Sequence, residues 1–374
     1  MGCAACTVSF KLAQFIYFAV FLGTVIACWV LRDYGGSALD FSPLNECLSQ
    51  TDPTNRSCLG QQAVMAISFG TFCFFALQML LLLGVSHKSN PRLSIHTGWW
   101  PIKFLLWAGA CAGFFWVPAS ALDGFSQAAR VFSGFFIILQ LIILLDFIYV
   151  VNEWLLERDQ CAWALVASTA LLICGAFVGI GFLYHYWAPE PSCSLNIWFI
   201  TSIILFFLIY GAISISPIRP ESAGLFTSAC VFAYTTYYCW SALNSEPLSH
   251  ACANSTASSN KAVQIVGFVV AILALGYSTM SGATSSNAFD LSAGTGCDDD
   301  ELPHRPDFFH LMFMLASCYM AMLFVGWDLE GQQGQNSMDR GWGSTWTKII
   351  AAWLCCGLYA WTLIAHRVLK NRSF

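Results

Sequence analysis

The feature that most constrains this chain is a series of about ten apolar stretches, each long enough to cross a lipid bilayer, which together occupy most of its 374 residues. Segment 137–151 reads IILQLIILLDFIYVV, and segment 195–213 reads LNIWFITSIILFFLIYGAI. A spanning helix needs roughly 20 predominantly apolar residues to cross a hydrocarbon core of about 30 Å. No water-soluble interior holds ten of these. Only 10% of the residues are charged and 57% are hydrophobic, against about 25% charged in an average soluble domain. The net charge of −5 is small and dispersed, so no nucleic-acid partner is expected.

Spans are expected near 12–31, 62–84, 101–118, 131–152, 161–184, 195–215, 225–243, 262–281, 308–327 and 347–367. Each should be helical, because lipid offers backbone groups no hydrogen-bond partner. The alternating ten-residue strands of an outer-membrane barrel are missing, so the fold class is all-α and polytopic. The first apolar segment runs on to Leu31 and is expected to stay in the membrane rather than be cleaved as a signal. Trp99, Trp100, Trp187, Trp342 and Trp346 fall beside span ends, where indoles prefer the headgroup layer.

Charge placement gives the topology. Lys11, Lys88, Arg92, Lys103, Arg158, Arg219, Arg305, Arg367, Lys370 and Arg372 fall in one set of connections; Arg32, Arg56, Arg130, Lys261, Arg340 and Lys348 fall in the other. Ten against six makes the first set cytosolic, and an even span count puts both termini in the cytosol. The sequons at Asn55 and Asn254 land on the opposite, lumenal or exterior side, where glycosylation can occur. A third sequon, at Asn371, is cytosolic and should go unused. Cys47, Cys58, Cys193 and Cys252 lie in the lumenal loops, where disulfides are permitted. Cys47 and Cys58 share one loop, and Cys193 with Cys252 would bridge two; the connectivity is open. Cysteines inside spans, such as Cys73, Cys174, Cys230 and Cys318, read as small buried hydrophobes. The order Met1-Gly2-Cys3 through Cys6 lacks the Ser or Thr that myristoylation requires. Cys3 and Cys6 remain palmitoylation candidates, although ten spans need little extra anchoring.

Ionisable groups inside spans are costly and mark function by default. Asp146 lies well inside the fourth span, and Tyr149 and Glu153 fall on its face within about 60° at helical periodicity. This stripe either lines a path for lipid headgroups or ions, or is a buried carboxyl bonded to a neighbouring helix. On the eighth span Gly267, Ala271, Ala274 and Ser278 form a small-residue face, read as close helix packing with a lipid-accommodating groove as the alternative. Gly175 and Gly179 form a GxxxG pair with the same packing reading. His304, Asp307 and His310 have a loose metal-like spacing, but Pro306 interrupts it and four ligands are wanted. No metal or cofactor is therefore expected, and His310 reads as a polar contact at the membrane boundary. Asp123-Gly124 with Ala129-Arg130 imitates the start of a CDP-alcohol phosphotransferase motif at the wrong spacing. No nucleophile elbow, P-loop or HExxH is present, and no enzyme is expected. The acidic, small-residue segment 281–307 reads as a flexible cytosolic loop, a solvated linker or the seat of a cytosolic partner. Self-association into homo-oligomers is left open.

Five blocks occur in order along the chain: HTGWWPIKF at 96–104, QLIILLDFIYVVNEW at 140–154, YTTYYCWSALNSEP at 234–247, FFHLMFMLASCYMAM at 308–322, and the C-terminal WTKIIAAWLCCGLYAWTLIAHRVLKNRSF. Together they resemble the serine incorporator (Serinc) family. The chain lacks the longer cysteine-rich N-terminal extension of many animal members, and its 281–307 loop is shorter. The resemblance implies one integral membrane domain over residues 1–374, with about ten transmembrane helices in two subdomains joined by long tilted crossing helices, the fourth and eighth spans. It implies a place in the endomembrane system or the plasma membrane, with membrane lipids as partners. It also implies one of two roles. One is ATP-independent scrambling of phospholipids such as phosphatidylserine. The other is serine delivery, as carrier or scaffold, for phosphatidylserine and sphingolipid synthesis.

Overall fold

The computed structural model describes residues 8–35, 57–157, 162–217, 219–220, 223–247, 249–253, 302, 305–325, 327 and 340–368. Those residues form ten α-helices and no strand. They are α1 (Phe10–Tyr34), α2 (Ser57–Leu81), α3 (Leu93–Thr97), α4 (Trp100–Gly113), α5 (Ala119–Leu156), α6 (Ala162–Trp187), α7 (Ser194–Ile215), α8 (Leu225–Asn244), α9 (Pro306–Val325) and α10 (Trp342–Val368). Seven of them are long and apolar enough to cross a membrane: α1, α2, α5, α6, α7, α9 and α10. The chain is an all-α polytopic membrane protein.

The remaining expected spans behave differently. α4 has only 14 residues, followed by a 3-10 turn over Phe114–Trp116, and Pro118 stands before α5. At 1.5 Å per residue it covers roughly 21 Å. α8 has 20 residues, but its Ser, Thr and Tyr content keeps it outside the apolar group. The expected span at 262–281 lies outside the described residues. α5 is longer than the expected 131–152, at 38 residues. The helix continues through the polar stretch 119–130 because its polar groups are accommodated on the way: Ser126 donates to the Asp123 carbonyl at 2.7 Å, and Arg130 donates to the Trp327 carbonyl at 3.3 Å.

The chain divides into two compact units. The first comprises residues 1–140 and 265–339. Its centre is α9, which is 83% buried across its apolar window and runs against α2. Met65 and Ala66 from α2, Leu122, Phe125 and Ala129 from α5, and Cys318, Ala321 and Met322 from α9 form one core cluster. Two glycines allow the backbones of this unit to touch. A Cβ at Gly60 would collide with the Arg32 carbonyl oxygen, and one at Gly70 would stand 2.7 Å from the Cys111 nitrogen. Gly84, at φ +75°, turns the chain after α2, and its N–H donates to the Asp307 carboxylate at 3.1 Å.

A second polar knot ties this unit together near α3. His96 Nδ1 and His310 Nε2 share a hydrogen bond at 3.1 Å, and both residues are fully buried. The His96 carbonyl accepts from Lys103 Nζ at 2.9 Å and from the Tyr17 hydroxyl at 3.3 Å. The Lys103 ammonium lies 4.4 Å from the Trp100 ring centre, a cation–π contact that partly replaces water. His310 thus makes a polar contact, and it does so fully buried in this unit. No group of three or more metal-ligating side chains occurs among the described residues; His304 lies outside them.

The second unit comprises residues 141–264 and 340–374. α6, α7, α8 and α10 pack here together with the end of α5. Between helices in lipid there is no hydrophobic driving force, so packing and polar contacts hold them. α10 shows this along its length. Lys348 donates to Ser245 Oγ at 2.6 Å, Trp353 Nε1 to Ser202 Oγ at 2.9 Å, and Arg367 to the Pro217 carbonyl at 2.6 Å. Tyr359 lies between them, fully buried.

Of the five tryptophans beside span ends, Trp100 and Trp187 are buried against protein, while Trp99, Trp342 and Trp346 are exposed. Trp100 turns inward because its Nε1 donates to the Thr97 carbonyl at 3.0 Å. Among the span cysteines Cys318 is buried, Cys73 and Cys230 are partly buried, and Cys174 is exposed on α6, the least buried of the seven spanning helices.

Candidate functional site

The polar stripe on α5 was the main sequence candidate, and its three members have different surroundings. Asp146 is half-buried and makes no hydrogen bond or ion pair among the described residues. Glu153 is exposed. Tyr149 turns inward: its hydroxyl shares a 2.8 Å hydrogen bond with Thr362 Oγ1 of α10, and its ring lies 6.4 Å from that of Tyr359. Tyr149 is therefore tied to a helix contact, and the carboxylates on either side of it are not.

Behind Tyr149 stands a cluster of hydroxyls that sequence reading missed. The Tyr359 hydroxyl is 2.7 Å from Thr227 Oγ1, 2.9 Å from Ser228 Oγ and 3.4 Å from Ser214 Oγ. Ser214 and Ser228 share a 2.6 Å bond of their own. Thr362 donates to the Tyr359 carbonyl at 2.7 Å. A hydroxyl can donate once and accept twice, so four helices, α5, α7, α8 and α10, exchange bonds at one place without any formal charge. The adjacent Tyr210 hydroxyl is buried and makes no hydrogen bond of good geometry among the described residues. Its α8 members, Thr227 and Ser228, stand outside the Thr and Tyr run at 234–238, and its partners come from helices up to 145 residues away, so a single sequence carried no signal for it.

The small residues of the second unit form a surface rather than a close joint. A Cβ at Gly179 would stand at ordinary contact distance, 3.4 Å, from the methyl of Thr236, and one at Gly175 would find nothing within 4 Å. Instead α6 and α8 border a groove of about 570 Å³, lined by Leu171, Gly175, Ala176, Gly179, Thr236 and Trp240 among others. Its lining is almost wholly apolar, suited to hydrocarbon. The small-residue face of Gly267, Ala271, Ala274 and Ser278 lies outside the described residues.

At the end of this unit where α6 and α8 finish and α7 and α10 begin, Cys193 and Cys252 have their sulfurs at bonding distance, 2.07 Å, with Cα atoms 5.8 Å apart. This is the pairing that bridges two loops. Cys47, Asn55 and Asn254 lie outside the described residues, as does the side chain of Cys58 and most of segment 281–307.

Comparison with known proteins agrees with this architecture. The family model described as "Serine incorporator (Serinc)" matches residues 1–307 and 298–372. The chain is 30% identical to "Serine incorporator 3" of Bos taurus over 437 aligned positions, covering 97% of this chain and 92% of the relative. It is 27% identical to "Serine incorporator 3" of Mus musculus, covering 100% and 94%. To a "Probable serine incorporator" of Monosiga brevicollis it is 26% identical, covering 100% and 93%. With a family model spanning nearly all of its length and relatives aligned from end to end, the chain belongs to the serine incorporator family of membrane proteins.

Proposed function

We propose that this protein is an ATP-independent phospholipid scramblase that lets lipids such as phosphatidylserine exchange between leaflets. The observation that carries the reading is the carboxyl of Asp146. An acidic side chain at the centre of a spanning helix costs roughly 2.5–3.5 kcal/mol on insertion scales, and proteins normally offset this by pairing it internally. Asp146 has no such partner among the described residues. A polar group left open on a long helix is what a headgroup crossing the hydrocarbon needs, since it replaces part of the lost hydration. Glu153, on the same face, extends that track toward the helix end. The apolar groove between α6 and α8 suits an acyl chain travelling with its headgroup. No bond is made or broken, so neither a nucleotide nor a nucleophile is required.

A second reading is favoured by the name of the relatives, serine incorporator: a serine carrier or scaffold that supplies serine for phosphatidylserine and sphingolipid synthesis. One experiment separates the two. Purified protein is reconstituted into liposomes that carry fluorescent phosphatidylserine or phosphatidylcholine in both leaflets, and reductive quenching reads leaflet exchange. Scrambling predicts that quenching proceeds past the outer-leaflet fraction without ATP. Serine binding or uptake, with exchange no faster than in empty liposomes, would overturn the scrambling reading in favour of the second.

A further inference from the structure

Among the described residues, the carboxylate of Glu246 is the most enclosed acidic group outside the spans, with a fully buried side chain. It follows α8 in the turn at residues 245–247. One oxygen, Oε2, accepts from Asn196 Nδ2 of α7 at 3.2 Å and from His250 Nδ1 at 3.0 Å. The other, Oε1, is buried with no partner among the described residues, and so is Oδ1 of Asn196, whose amide also donates to the Trp187 carbonyl at 2.9 Å. His250 is the one member that reaches water, with 23% of its side chain exposed, and its ring stands 5.0 Å from that of Trp342. Covalent geometry holds the parts in register. Cys252, two residues after His250, is bonded to Cys193, three residues before Asn196. The other titratable or charged groups on surrounding elements are Cys239 on α8, whose thiol feels the carboxylate, and Arg340 and Lys348 at and near the start of α10. Lys348 donates to Ser245, the neighbour of Glu246.

An ionised carboxylate wants about four hydrogen-bond donors, and here two donors converge on one oxygen while the other has none. The neutral acid relieves that deficit, because the proton removes the charge that burial penalises. We propose that Glu246 and His250 form a proton-binding site at this end of the molecule, with His250 as the water-facing relay, and that proton occupancy sets how firmly the 245–253 turn is held against α7. The proton enters from water on the imidazole, passes from Nδ1–H along the 3.0 Å bond to the carboxylate, and leaves neutral imidazole and carboxylic acid behind. Burial of Glu246 acts in the same direction, raising its carboxyl above the ordinary 4.5 despite the opposing bonds from His250 and Asn196. For an acid so raised, the folded turn keeps a proton that the opened turn has lost. Closure is therefore favoured by acid above pH 4.5 and weakens as pH rises through the raised value.

Hydrogen exchange of the full-length protein in detergent micelles, read on peptides covering 245–253 at pH 7.5 and 5.5 and corrected for intrinsic rates, tests this. Protection in the wild type should increase on acidification, by about tenfold for each unit that the carboxyl is raised within the window. Glu246→Gln, neutral at all pH, should show equal protection at both. An equal pH response in wild type and Glu246→Gln overturns the proposal. Where Glu246→Gln does not fold, His250→Phe reads the same site: it removes the hydrogen-bond donor 3.0 Å from the carboxylate, so the pH midpoint of protection should move upward, and an unmoved midpoint overturns the proposal.

Discussion

Replacing Gly70 by alanine should weaken the first unit, and an identical change a short way along the contacting helix should not. The new methyl carbon at position 70 would stand 2.7 Å from the Cys111 nitrogen, 2.8 Å from its Cα and 2.9 Å from the Ala110 carbonyl carbon. All three atoms are backbone, so no side chain can rotate away. Ordinary contact begins at 3.4 Å, which means α2 and α4 must separate by 0.7 Å, the difference between 3.4 and 2.7. A gap of 0.5–1 Å forfeits roughly a quarter to a half of each dispersion well along the joint, and overpacking of this kind costs about 1–3 kcal/mol. Alanine returns up to about 1 kcal/mol through its better helix propensity. The net expectation is a loss of about 2 kcal/mol, at the upper end because the obstacle is rigid. Gly109, on α4, has nothing within 4 Å of its would-be Cβ, so Gly109→Ala keeps only the propensity gain. Thermal unfolding of both variants in the same detergent, at one scan rate, gives the comparison. If Gly70→Ala melts at or above the temperature of Gly109→Ala, the close approach of α2 to α4 is wrong.

Three further outcomes are expected. Asp146→Ala should lower lipid exchange per folded molecule without lowering thermal stability, since no internal bond is lost; a stability loss with unchanged exchange would make Asp146 a structural group. Tyr359→Phe should destabilise the second unit by about 1–2 kcal/mol, between the ~0.6 kcal/mol typical of one interhelical bond in a membrane and the sum of its several partners. Tyr149→Phe should cost less than half as much, because Thr362 keeps its bond to the Tyr359 carbonyl, and paired melting curves check the ratio. Burial, with the nearby Lys103 ammonium adding to it, holds His96 down at about 3. Its contribution to stability is complete above the ordinary 6.5 and declines by about 1.4 kcal/mol per pH unit as pH falls from there toward 3. Melting curves of wild type between pH 8 and 4 should show the decline, and His96→Asn should flatten it.

Much of the fold could be read from hydropathy, because a bilayer punishes every unsatisfied backbone group and so makes spans conspicuous. Where it misled, the cause was local. Asp123 and Arg130 disguised the first third of α5 as a loop, although both sit on a helix that meets Trp327. The GxxxG at Gly175 and Gly179 drew the packing inference, yet the tight joints are Gly60 and Gly70, ten residues apart and without a motif. The α5 stripe was visible as a stripe, but periodicity alone could not tell that Tyr149 faces α10 while Asp146 has no bonded partner among the described residues. The His96–His310 and Tyr359–Ser214 contacts join residues 214 and 145 apart, and distances of that kind leave no trace in a single sequence.

The way the two units share the chain has a consequence for biosynthesis. The first unit is built on α9, its most buried spanning helix, which is translated only after α6, α7 and α8 of the second have emerged. The second unit in turn waits for α10, which carries Tyr359. Neither core can close while the ribosome is in mid-message. Helices α1, α2 and α5 must therefore wait in the membrane with their inward faces uncovered, and a chain stopped before residue 306 would leave both units hollow. Quality control that inspects the bilayer for unpaired polar and small-residue faces would find this protein vulnerable until α10 has been made.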